Sequence, residues 1–108
     1  PVYLHLHSKA PKDVKSLKAR WTPDGYFLQW KRNGNPKNPK NAQYYLIYRF
    51  GEDEKINLDD SSKIVRVTRD VSYLLPYETG EKAYQYVVTS VDRFHNESIA
   101  GKSITVKL

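Results

Sequence analysis

Apolar side chains recur at every second position in this chain, in runs of a few residues that turn-forming residues cut short. Alternation sends successive side chains to opposite faces of an extended strand, so it marks half-buried β-structure. No stretch of three turns carries apolar residues at the three- and four-residue spacing of an amphipathic helix. Val14 to Arg20 reads as a strand, with Val14 out of phase with Leu17 and Ala19. Thr22-Pro23-Asp24-Gly25 is a turn, with Pro and Asp in the early positions and Gly closing it. Tyr26 to Trp30, Gln43 to Phe50, the short run Lys55 to Leu58, Ile64 to Thr68, Val71 to Leu75, Tyr84 to Asp92 and Ser103 to Leu108 follow as extended runs. Asp59-Asp60-Ser61-Ser62 either caps a single helical turn or forms a loop. About seven strands in one small chain predict an all-β sandwich or barrel.

The chain has 108 residues, which is one domain's length and enough to bury a core without a disulfide or metal staple. It contains no Cys, which excludes disulfide scaffolds, thiolate zinc sites, iron–sulfur clusters and cysteine nucleophiles. The longest apolar run, Tyr44 to Tyr48, is far short of the roughly 20 residues of a membrane helix, so no membrane contact is expected of this domain itself. The start at Pro1 suggests an excerpt of a longer polypeptide. Residues 1–12, with the run Tyr3 to His7, read as a tail or linker from an upstream domain, and residues 13–108 as the domain.

Residues 1–50 hold ten Lys+Arg and two acids, whereas residues 51–108 hold eight Lys+Arg and ten acids. Lys31, Arg32, Lys37 and Lys40 surround the Asn- and Pro-rich stretch 33–41, with Tyr44 and Tyr45 just beyond. Basic residues beside aromatics can bind nucleic acid or anionic glycan. A solvated loop explains the same residues, and no nucleic-acid partner is expected. His5 and His7 point the same way from an extended run but lack a third ligand. Glu52-Asp53-Glu54 and Asp59-Asp60 lack the alternating oxygen ligands of a calcium loop. Asp92, His95 and Ser98 have the residue types of a hydrolase triad without a nucleophile elbow or an oxyanion hole. Asn96-Glu97-Ser98 matches a glycosylation sequon and reads as a turn. No catalytic, metal or cofactor residues are therefore assigned.

Three segments resemble the fibronectin type III domain, a seven-stranded two-sheet immunoglobulin-like sandwich without a disulfide. Leu28-Gln29-Trp30 is similar to its second strand, and Tyr45-Leu46-Ile47-Tyr48-Arg49 to its third. The run Tyr84-x-Tyr86-x-Val88-x-Ser90-x-Asp92 is similar to its sixth, where the resemblance implies that the first Tyr makes the tyrosine corner. The resemblance spans residues 14–108 and implies a core signature of Leu28, Trp30, Tyr45, Ile47, Tyr84, Tyr86 and Val88. More narrowly, Tyr84 to Ser98 resembles the C-terminal domain of secreted bacterial lipoproteins that carry a family-ten-like glycosyl-hydrolase barrel upstream.

If Tyr45 and Ile47 face the core, then Tyr44, Leu46, Tyr48 and Phe50 face outward, joined by Val87 from the neighbouring strand. A strand apolar on both faces is expected where both are covered. An upstream catalytic domain of the same polypeptide or a protein partner would supply that cover. Alternatively, Tyr tolerates exposure through its hydroxyl, or the register is displaced by one residue. The resemblance thus implies an extracytoplasmic, non-catalytic module that positions a glycan-degrading domain. The alternative is a carbohydrate-binding module that stacks sugars on an exposed Tyr, Trp21 or Phe94.

Overall fold

A computed structural model describes residues 11–32, 34–39, 41–76 and 83–107. The elements are β1 (Lys18–Thr22), β2 (Gly25–Gln29), β3 (Tyr44–Gly51), a 3₁₀ turn (Ser61–Lys63), β4 (Ile64–Thr68), β5 (Ser72–Leu74), β6 (Ala83–Val91) and β7 (Ile104–Lys107). One sheet has the order β1-β2-β5 and the other β4-β3-β6-β7, with every pairing antiparallel. This is the seven-stranded, two-sheet sandwich that the resemblance implies. Between the sheets lie Leu28, Trp30, Tyr45, Ile47, Tyr86, Val88 and Val106. Burying such side chains is the main favourable term in folding, roughly 1.5–3 kcal/mol for each aliphatic one.

Local chemistry sets where the strands begin and end. At the β1–β2 corner the Thr22 hydroxyl donates to the Gly25 carbonyl at 2.8 Å and accepts the Asp24 amide at 3.2 Å. Gly25 sits at φ +121°, where a side chain would be strained. Ser16, at φ +60°, breaks the extended run expected from Val14, so β1 begins only at Lys18. That break accounts for the phase of Val14, which is buried nonetheless. Pro11 is buried as well, and the Lys12 carbonyl accepts the Ser90 hydroxyl at 3.0 Å. The packed unit therefore already includes these two residues, which the sequence reading assigned to a linker. The Asp60 side chain accepts the Ser62 amide and caps the 3₁₀ turn.

One expected strand is absent. Lys55 to Leu58 forms no ladder and instead runs irregularly, because Ile56 and Leu58 both pack onto the outer face of β3 and β6. Alternation there serves one-sided packing by a loop.

Candidate functional site

The pairing of β3 with β6 decides what each face of the larger sheet carries. Tyr45 opposes Ser90 and Ile47 opposes Val88 on the inner side, while Leu46 opposes Thr89 and Tyr48 opposes Val87 on the outer side. Tyr48, Phe50 and Val87 form a second apolar cluster with Leu46, Ile56, Leu58, Ile64 and Ala100 around it. A bulge in the β3–β4 pairing sets Ile64 opposite Tyr48, while Val65 packs against the inner core. The outward side of β3 and β6 is apolar, and this chain's own segments, rather than an upstream domain, pack on it. Tyr48, Phe50 and Val87 are buried by this chain's own segments 52–64 and 97–101 and offer no surface to a neighbour. Of the anticipated interface only Tyr44 and Leu46 stay half-exposed. Beside them lies Val67, 56% exposed, the cross-strand partner of Leu46.

Polar groups pin that cover. Glu97 Oε2 accepts hydrogen bonds from the Tyr48 hydroxyl at 2.5 Å and the Thr89 hydroxyl at 2.6 Å. Burial, and then the hydrogen bond and charge of Glu97, push the Tyr48 phenol well above its ordinary pKa. Gln85 Nε2 donates to the carbonyls of Gly51 and Glu54 at 2.9 and 2.7 Å, which fixes the turn after β3. Lys63, 2.7 Å away, and the Gly51 amide hold the Glu54 carboxyl below the usual carboxylate range.

At the end of the sandwich where β2 leaves and β3 begins, three connections meet. The Arg32 guanidinium donates to the Arg69 carbonyl at 3.2 Å, linking the β2–β3 loop to the β4–β5 turn. The Arg93 amide donates to the Pro39 carbonyl at 3.1 Å, linking the β6–β7 loop to the β2–β3 loop. Asp92, fully buried, anchors the β6–β7 loop. Its Oδ1 accepts the Phe94 and Asn96 amides at 2.8 and 2.9 Å, and its Oδ2 accepts the Asn96 side-chain amide at 3.1 Å. The result is a groove of about 740 Å³ lined by Arg32, Tyr44, Arg69, Asp70, Arg93 and His95 among others. Tyr44 Oη lies 3.5 Å from His95 Nδ1. The sequence reading found Arg32 and Tyr44. It missed Arg69 and Arg93, which lie far away along the chain and carry no local motif.

Two solved structures described as FN3tt and an FN3tt mutant superpose on the chain with TM-scores of 0.67 and 0.63, each at 16% identity. The alignments cover 92% and 93% of this chain and 95% and 96% of those chains. The chain has the fibronectin type III fold. The glycosyl hydrolase YngK of Bacillus subtilis (strain 168) is 35% identical over 101 residues, a match that covers 93% of this chain. The chain spans only 19% of the length of that curated relative. No family model matches it.

Within the fibronectin type III frame, Leu28, Trp30, Tyr45, Ile47, Tyr86 and Val88 lie in the inner core, and Tyr84 packs at its edge under the Arg49 guanidinium, 4.4 Å from the ring centroid. Lys31 and Lys37 are exposed on the β2–β3 loop, while Lys40, His5 and His7 lie outside the described residues. Trp21 and Phe94 are 68% and 40% exposed. They sit at opposite ends of the sandwich, one by the β1–β2 corner and the other in the β6–β7 loop, so they cannot form one stacking platform. Asp92 spends its hydrogen bonds on its own loop, the Ser98 hydroxyl accepts the Ser90 amide of β6 and donates to the Ile99 carbonyl, and the His95 ring faces Tyr44 rather than either of them. Among the described residues, no three His, Asp or Glu side chains gather as a metal site.

Proposed function

We propose that this fibronectin type III domain is a non-catalytic accessory module of a larger extracytoplasmic polypeptide, where it packs against and positions a glycan-degrading domain. The observation that carries the reading is the 101-residue match to 19% of a glycosyl hydrolase, the footprint of one module within a longer enzyme. With Tyr48, Phe50 and Val87 already covered, docking falls to the strip around Leu46 and Val67 along the β3–β4 edge. Such a strip suits a modest inter-domain contact.

The test is made in the full-length polypeptide. Val67→Glu is expected to lower the unfolding temperature of the neighbouring domain while leaving that of the isolated 108-residue chain unchanged. An unaffected neighbour rules out this edge. Deleting the whole module without any change in the neighbour's stability or hydrolysis overturns the accessory reading itself.

A further inference from the structure

The groove at the loop end carries a chemistry that domain docking does not require. Three separate connections deliver Arg32, Arg69 and Arg93 to its walls, and all three side chains are exposed. Among the described residues no carboxylate lies within ion-pair distance of any of them. The Asp92 carboxylate at the base of the groove is turned to backbone and side-chain amides of its own loop. Three guanidiniums against the two carboxylates of Asp70 and Asp92 leave the groove net positive, with none of the arginines ion-paired among the described residues, and a bound anion relieves that excess. A guanidinium is a planar fork that matches a carboxylate with two parallel hydrogen bonds.

Shape and the remaining lining narrow the ligand further. A volume of about 740 Å³ lies within the roughly 300–1,000 Å³ of small-molecule sites. The Tyr44 ring offers a flat apolar surface, held beside the His95 ring at the groove wall. Asp70 supplies an acceptor suited to hydroxyl groups. A phosphodiester strand offers Asp70 few hydroxyl donors, whereas a sugar acid carries hydroxyls beside each carboxylate that can donate to it. We infer that this groove binds a carboxylate-bearing saccharide, with its acid groups on the guanidinium forks and a sugar ring against Tyr44. The glycan setting rests on the accessory reading above, and the recognition chemistry rests on the groove.

Calorimetric titration of the 108-residue chain with hexagalacturonate and with a hyaluronan hexasaccharide tests the inference, with cellohexaose as neutral control and a single-stranded hexadeoxynucleotide as phosphate control. At least one uronate probe is expected to bind more tightly than both controls. Its affinity should fall about tenfold or more between low and physiological salt, as direct charge contacts require. Replacing two forks, Arg69→Ser with Arg93→Ser, should weaken binding roughly tenfold or more, and unfolding should move little because both side chains are exposed. Failure of both uronates to bind, equal binding of either control, or indifference to the double substitution each overturns the inference. Docking is read separately through Val67→Glu, so either conclusion can fail while the other stands.

Discussion

The two faces of the β4-β3-β6-β7 sheet are both buried, yet they are closed in different ways. The inner face meets another sheet, and its contacts are apolar and aromatic, with the Trp30 and Tyr45 rings edge to face at 5.6 Å. The outer face meets irregular chain, and its contacts alternate between apolar plugs and hydrogen bonds. A covering sheet satisfies its own backbone groups through its ladders. A covering loop cannot, so it needs polar partners at fixed points. Gln85 serves the Gly51 and Glu54 carbonyls at one end of the Tyr48–Phe50–Val87 cluster, and at the other the Glu97 carboxylate ties the covering segment to the Tyr48 and Thr89 hydroxyls. The difference teaches that β3 and β6 can be apolar on both sides without recruiting a second domain.

The contrast is open to attack by truncation on each side. Trp30→Ala is expected to cost the most, about 3–5 kcal/mol in a denaturant titration, because the sheets on either side cannot collapse into the space. Phe50→Ala removes a ring that is 1% exposed, but a loop can settle into the gap. Its loss should therefore be smaller, about 3 kcal/mol or less. Equal losses would show that the loop cover is as rigid as the sheet. Glu97→Ala should come next, at about 1–3 kcal/mol, because it strands the Tyr48 and Thr89 hydroxyls in a buried setting. Glu97→Gln keeps an acceptor and should recover part of that loss. If Glu97→Ala unfolds at the wild-type midpoint, the loop is not pinned there.

The inner face was legible in the sequence because alternation is a local signal. Tyr45 and Ile47 on β3, and Tyr86 and Val88 on β6, announce their common side through spacing alone. The outer face was legible only as a question. Alternation sends Tyr48, Phe50 and Val87 outward, but what packs over them is Ile56, Leu58 and Ala100, whose placement depends on how two irregular segments fold back. Ile56 and Leu58 even have strand-like spacing, and only the absence of a pairing partner separates them from β4. The groove was less legible still. Arg32 sits in a visibly basic loop, whereas Arg69 and Arg93 join it through sheet topology and through the hydrogen bond from Arg32 to the Arg69 carbonyl. No spacing rule brings together residues from three connections.

The smallest effect, absent at ordinary pH, isolates the outer face most cleanly. Burial of the Tyr48 phenol, followed by its hydrogen bond to Glu97 and the Glu97 charge, raises its pKa in the folded chain above the ordinary value of 10.0. Below that pH both folded and unfolded chains keep the proton, and Tyr48 adds no pH dependence. Above about pH 10 the unfolded chain releases the proton while the folded chain retains it. The folded state then binds more protons, so stability falls as pH rises, with a limiting slope of about 1.4 kcal/mol per pH unit from this one group. Urea unfolding followed from about pH 8 to pH 11 should show the decline in the native chain. Tyr48→Phe, which keeps the ring and removes the proton, should flatten it by that one-proton share, and other tyrosines contribute equally to both profiles. Parallel profiles would mean that the phenol is no better protected from ionisation in the folded chain than in water. The outer face would then be an open surface of the kind that still needs a neighbour.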